Sequence, residues 1–238
     1  MLLVFIDETS DAKFREYLGF SIAMIDSRFY PSLKQEAHEI LKNVRWDPAI
    51  EFKGSYLFSQ SKGCSAVEVE ARVAAARRLL QLNVAAANRR IRFCYGDLKS
   101  PSHKDDYLAK LPTLLFKALR PPAKGAGKNL VAVTVDERSD VSADELQQVL
   151  APVVAARDWV LLERIARAKS SCETVGLMFA DVVGYLLSRV ETIANDAELF
   201  EGMSPEQLQN SGQMRKLRSS TELISLLKGL KLYEQVRE

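Results

Sequence analysis

The chain has 238 residues and a mass of 26.6 kDa, enough for one large domain with a sizeable core. Its 47% hydrophobic and 27% charged residues, with 11 Gly and 8 Pro, exclude a disordered, collagen-like or low-complexity chain. With 33 Lys and Arg against 31 Asp and Glu the net charge is only +2, so the overall balance predicts neither a polyanion binder nor a membrane-surface protein.

In chain order, Leu2–Ile6 is a short apolar run that reads as a strand, and Tyr17–Ile25 reads as its partner. Pro31 sits where a helix can begin, and Leu33, Ala37, Ile40, Leu41 and Val44 form its apolar stripe before Trp46-Asp47-Pro48 breaks it. A polar stretch containing Glu51-Phe-Lys53-Gly54 leads into an Ala- and Arg-rich helix expected over residues 66–87. Arg90–Tyr95 alternates charge with bulk as a half-exposed strand should, and His103–Leu119 reads as a helix that Pro112 would kink. Residues 120–127 read as a long loop. Lys124-Gly-Ala-Gly-Lys128 within reach of it lacks the spacing of a phosphate-binding loop and precedes a strand, not a helix.

Asn129–Val135 is the best candidate for a buried strand, followed by a helix at Ser142–Ala156 and a fifth strand at Trp159–Ile165. Glu173–Arg189 reads as a buried helix, and Ser204–Glu238 as one or two more. Alternating strands and helices make an α/β protein without internal repeats. No stretch is apolar for long enough to span a membrane, and the N-terminus lacks the basic flank and cleavage site of a signal peptide. Three widely spaced cysteines, Cys64, Cys94 and Cys172, fit neither a disulfide framework nor a metal knuckle, so a reducing cytoplasm is the expected location. With only His38 and His103, two-His zinc sites and Ser-His-Asp triads are nearly excluded.

The acids carry more information. Asp7 and Asp136 each follow an apolar strand and are expected at its end, at the sheet rim where ligands of α/β proteins gather. Asp181 is the only formal charge between Glu173 and Arg189, on a helix apolar on most sides. Singly, such acids can cap turns or pair with arginine; together they form a hard oxygen set suited to Mg²⁺ or Mn²⁺ rather than Zn²⁺. Cations held in that way favour phosphoryl chemistry. Glu8 could be a further ligand or a solvent-facing neighbour, Glu51 alone could be a solvated partner of Lys53, and Glu137 is expected to be exposed.

Phe5-Ile-Asp-Glu-Thr9 with Asp11, Gly19-Phe-Ser-Ile-Ala23, Glu51-Phe-Lys53, Val135-Asp-Glu-Arg138, Ser170-Ser171 and Gly176-Leu-Met-Phe-Ala-Asp-Val-Val-Gly184 together resemble the bacterial and phage family called domain of unknown function 3800. That resemblance, spread from residue 3 to about 190, implies an RNase H-like fold with a central mixed sheet flanked by helices. Residues 1–192 are expected to form this domain, with inserted helices between the second and third strands, and residues 193–238 a helical extension packed on it. It also implies metal-dependent cleavage of nucleic acid, with Asp7, Glu51, Asp136 and Asp181 as metal ligands and Lys53 facing a phosphate or orienting a ligand.

From Ala71 to Lys104 eight basic residues face Asp97 alone, and Arg72, Arg77, Arg78, Arg90 and Arg92 are the candidates for holding DNA or RNA. Arg215, Lys216 and Arg218 form a weaker cluster. The competing expectation is a non-catalytic nucleic-acid- or protein-binding module whose acids are structural. The C-terminal apolar helix could supply a homodimer contact or a place in a larger assembly.

Overall fold

The computed structural model describes residues 1–10, 18–59, 66–82, 91–98, 104–122, 129–195, 200–229 and 233–236; on β3, β7 and the last turn of α5 it describes the backbone alone. One mixed sheet contains β1 (Leu2–Ser10), β2 (Leu18–Asp26), β3 (Ile91–Leu98), β4 (Leu130–Asp136), β5 (Val160–Leu161), β6 (Ala166–Ala168) and β7 (Tyr233–Val236). Its order is β5-β4-β1-β2-β3-β7, with β6 also beside β4. β1, β2 and β3 form an antiparallel meander, whereas β4 lies parallel to β1, and β5 and β6 lie parallel to β4. This meander, with its parallel flank and helices on both faces, is an RNase H-like fold.

The helices are α1 (Tyr30–Asn43), α2 (Val69–Gln81), α3 (Lys104–Ala118), α4 (Ala143–Ala156), α5 (Val175–Asn195), α6 (Pro205–Asn210) and α7 (Gly212–Gly229). Alternation along β1 sends Val4 and Ile6 to one face and Phe5 to the other, and both faces are covered, which is why this strand is almost wholly apolar. Val4, Ile6, Val131, Val133 and Val135 meet α3 and α4 through Leu111, Leu115, Leu146 and Leu150. Phe5, Ala23 and Ile25 meet α5, with α1, α2 and α7 packed around it. Ser142 starts α4 with a reciprocal capping box to Glu145, and Pro31 sits in the first turn of α1, where its missing N–H has no cost. Among the described residues no helix is long and apolar enough to cross a membrane.

Four expectations change. β1 does not end at Asp7 but runs on to Ser10, because β2 continues to pair with it as far as Ser10 opposite Leu18. The strand expected over Trp159–Ile165 is confined to Val160–Leu161; the chain then leaves the sheet and returns as β6. Trp159 instead donates its indole N–H to the Arg120 carbonyl. The C-terminal extension is not wholly helical, since β7 adds to the sheet alongside β3, and the boundary drawn at 192 falls inside α5. Within the Ala-rich segment the helix covers Val69–Gln81, and residues 83–90 lie outside the described ones, as does the Lys124–Lys128 stretch.

α5 lies close on the sheet because Gly176 has no side chain. A Cβ there would overlap the ring of Phe5, which is itself buried. Gly176→Ala is therefore expected to lower stability by about 1–3 kcal/mol, the usual cost of overpacking, despite Ala's better helix propensity. Thermal unfolding checks this, and Phe5→Leu added to Gly176→Ala should recover part of the loss. A Gly176→Ala protein as stable as the wild type would contradict the close packing.

Candidate functional site: four carboxylates at one end of the sheet

The register Ile6↔Val135 puts Asp7 and Asp136 one residue further along two adjacent parallel strands. Both share the parity of Phe5 and Thr134, so they face the α5 side of the sheet. α5 crosses that face with Gly176 on Phe5 and Gly184 near Ser21 and Thr9, which brings Asp181, between the two glycines, beside Asp7. From Val175 to Ser188 every residue of α5 is buried except Asp181 and Tyr185.

Glu51 and Lys53 arrive on the segment before a single 3₁₀ turn, Gly54–Tyr56. The Gly54 N–H donates to Asp181 Oδ2 at 2.5 Å. A Cβ at Gly54 would overlap Cβ and Cγ of Tyr185 and come within 3.2 Å of the Asp181 carbonyl, so only glycine lets the turn approach α5 this closely. Lys53 Nζ pairs with Glu51 Oε2 at 2.9 Å, while Glu51 Oε1 is buried with no hydrogen-bond partner among the described residues.

The electrostatics tie the four acids together. Asp7 is 6% exposed, and burial, followed by the charges of Asp181, Asp136 and Glu8, holds its carboxyl well above the usual carboxylate range. Burial pushes Asp181 up to about 6 against the opposing Gly54 N–H and Lys53, with Glu51 and Asp136 adding to the rise. Asp136 is raised by burial and by Glu51, and lowered by N–H groups of Ser170, at 3.0 Å from Oδ1, and of Glu137. Burial works against the Lys53 charge, but the Glu51 bond and the Asp181 and Asp136 charges outweigh it and leave its pKa raised.

Among the described residues, no three carboxylate, thiol or imidazole side chains stand close enough to enclose a cation as they are. The donors nevertheless suit one. They are carboxylate oxygens, they repel one another in a buried place, and one of them, Glu51 Oε1, is buried without a hydrogen-bond partner among the described residues.

Glu8 points to the opposite face of β1 and pairs with Arg138 at 2.7 Å; burial raises its pKa and Arg138 opposes the rise. Arg138 also holds Asp140 at 2.6 Å and lies 4.9 Å from the Tyr107 ring centroid, so it ties the ends of β1 and β4 together beneath the acids. Glu137 is exposed, as expected, with Arg167 at 3.4 Å. The imidazole of His38 donates from Nε2 to the Cys172 carbonyl at 2.8 Å, away from the acids; His103 lies outside the described residues.

The expected phosphate-binding role of Arg72 is corrected. Arg72 is 1% exposed and donates to the carbonyls of Val67, Tyr56 and Ser59 at 2.7, 2.8 and 2.5 Å, so its guanidinium is an internal support for the loop after Gly54. Arg77 is exposed and pairs with Glu222 of α7 at 2.7 Å, and Arg78 is exposed on α2 beside a cavity of 380 Å³ lined by Glu36, Glu39 and Gln81. Arg90 lies outside the described residues, and Arg92 is on β3, of which only the backbone is described. Gly54 and the Ser170 N–H escaped the sequence reading as functional groups; the glycine directly after Glu-x-Lys was the available signal for the first.

No family model and no curated protein matches the chain. Solved structures with a related chain trace include ribonuclease H2 from Pyrococcus horikoshii OT3, 9% identical, over 96% of this chain and 99% of that one, with a TM-score of 0.46. RNase HII of Archaeoglobus fulgidus, solved as a PCNA:RNase HII complex, is 9% identical over 97% and 90%, with a TM-score of 0.47. Bst-RNase HIII in complex with Mn²⁺ is 10% identical over 96% and 71%, with a TM-score of 0.38. At such identities the case for the site rests on the side chains described above.

The raised pKa of Asp181 fixes the sign of a pH effect. Its folded-state value of about 6 lies above the ordinary 3.8, so the cost of ionising it is absent below about pH 4 and develops as pH rises through about 6. Without divalent cations, Asp181→Asn, which keeps an acceptor for Gly54, is expected to match the wild type near pH 4. It should exceed it by on the order of 1–3 kcal/mol above pH 6. Melting temperatures across that range in a chelator check this; a difference independent of pH would contradict it.

Proposed function

We propose that the protein is a divalent-metal-dependent nuclease that hydrolyses phosphodiester bonds of nucleic acid, and a member of the domain of unknown function 3800 family. The observation that carries this reading is the mutual approach of four carboxylates from residues 7, 51, 136 and 181, with Lys53 among them and one buried carboxylate oxygen without a partner among the described residues. Hydrophobic packing maintains this repulsive arrangement, and a polar or apolar residue at any of the four positions would relieve it. Acids retained in such a place suit a ligand of opposite charge.

In this reading Asp7, Asp136, Asp181 and Glu51 hold Mg²⁺ or Mn²⁺. Such an ion would supply positive charge to a phosphate and lower the pKa of an attacking water. The chain's own contribution is orientation. The Gly54 N–H fixes Asp181 by Oδ2 and the Ser170 N–H fixes Asp136 by Oδ1, so backbone groups orient both carboxylates. Lys53, 36% exposed, can keep Glu51 in place through their ion pair or turn its ammonium to a phosphate oxygen of the substrate. The Arg138 clamp holds Glu8 on the far face, so Glu8 is not among the proposed ligands.

The test is Mn²⁺- and Mg²⁺-dependent cleavage of single- and double-stranded DNA, RNA and a hybrid by the wild type and by Asp136→Asn. The wild type is expected to cut at least one substrate. Asp136→Asn should lose at least about 100-fold in rate at unchanged fold, since even outer-shell changes at metal sites cost about 10–100-fold. Equal cleavage by both proteins, or none by the wild type with either ion, would overturn the reading.

A further inference from the structure

α5 carries a second feature that starts at the acids and leads away from them. Asp181, Tyr185 and Arg189 are partly exposed and recur every four residues, which places them on one face of the helix. Phe58, half-buried on the loop after the 3₁₀ turn, stacks on Tyr185 with ring centroids 6.4 Å apart and planes at 30°. The Arg189 guanidinium lies 5.1 Å from the Tyr185 centroid. An aromatic pair capped by a cation thus extends from Asp181, with Arg189 about 12 Å further along the helix at 1.5 Å per residue. A strip serving only to close the core would be apolar, like the Val182, Val183, Leu186 and Leu187 side of the same helix.

We propose that Phe58, Tyr185 and Arg189 form the seat of a single-stranded stretch of nucleic acid next to the phosphate held at the acids. The proposal rests on the nuclease reading for what lies at the acids, but its binding surface can be tested separately. Aromatic faces accept any base by stacking, and a guanidinium beside them takes a phosphate through paired N–H donors. A duplex keeps its base faces inside its own stack and cannot use such a platform. The stripe is continuous with the acids, whereas Arg72 on α2 is turned into the core, so the strand is drawn along α5 and not along α2.

The experiment measures binding of labelled oligothymidylate, oligouridylate and a duplex of equal length to Asp136→Asn protein in Mg²⁺, alone and with Tyr185→Leu or Arg189→Gln added. Single strands are expected to bind at least about tenfold more tightly than the duplex. Tyr185→Leu should weaken them about tenfold without changing the salt dependence, a typical loss for one stacked base. Arg189→Gln should reduce the log–log salt slope by about 0.7, the value of one phosphate contact on a single strand. Melting temperatures verify that the variants fold; should Tyr185→Leu fail to fold, Arg189→Gln decides alone. Equal affinity for single strand and duplex, or unchanged binding by the folded variants, overturns the proposal. Single-strand binding that depends on Tyr185 and Arg189, in a protein that cleaves nothing, upholds the platform and removes the nuclease. Asp136-dependent cleavage with unchanged binding by both variants does the reverse.

Discussion

α5 lies on the sheet with Gly176 against Phe5 and Gly184 near Ser21 and Thr9, its Leu177, Met178, Val182 and Leu186 are buried in the same apolar core, and this packing holds Asp181 beside Asp7 whether or not their charges favour it. Burying such side chains is worth about 1.5–3 kcal/mol each, so several of them together outweigh the repulsion between two or three carboxylates. Gly176 sets how closely the helix can lie, and the strand register Ile6↔Val135 sets Asp136 next to Asp7. The charges respond to that frame, with raised pKa values at Asp7, Asp136 and Asp181.

The fourth acid depends on a loop that is fastened from several directions. Trp46 donates to the Ile50 carbonyl at 2.7 Å and packs edge-on against Phe52, and the Cys172 thiol donates to the same carbonyl at 3.2 Å. Beyond the 3₁₀ turn, Arg72 gathers the carbonyls of Tyr56, Ser59 and Val67. A buried arginine that places three N–H donors on backbone carbonyls, with its guanidinium 5.8 Å from the Trp46 ring centroid, is an architectural group. Glu51 and Lys53 therefore sit on rigid support although they belong to no helix or strand, which suits residues that must meet a ligand in one geometry.

Much of this was legible in the sequence, and the reasons are physical. Acids directly after apolar runs, and one acid on an apolar helix, stand out because burying a charge is costly enough to demand a cause. Helix positions followed from apolar periodicity and from Ser142 and Pro31, although their ends shifted by a few residues. The end of β1 was misplaced because the pairing that extends it comes from β2, a tertiary interaction that leaves no mark in Asp7-Glu8-Thr9 itself. Arg72 was misread for a related reason: an arginine on an Ala-rich helix has the same local pattern whether it faces water or three carbonyls. Ser170 acts through its backbone N–H, which every residue but proline possesses, so its identity carries no signal, whereas Gly54 is marked only by its place directly after Glu-x-Lys. β7 was missed because its partner, β3, lies more than a hundred residues earlier in the chain.

The central claim is that the buried carboxylates are built around a cation. The most direct test is the melting temperature of the wild-type protein in chelator, in Mg²⁺ and in Mn²⁺, repeated with Asp7→Asn. A ligand that binds only the folded state stabilises it by about 2.7 kcal/mol at a hundred times its dissociation constant. The account predicts a rise in the wild type that saturates with Mn²⁺ concentration and is largely lost in Asp7→Asn. Identical melting with and without either ion, in a wild type that is properly folded, would contradict it and make the acids structural.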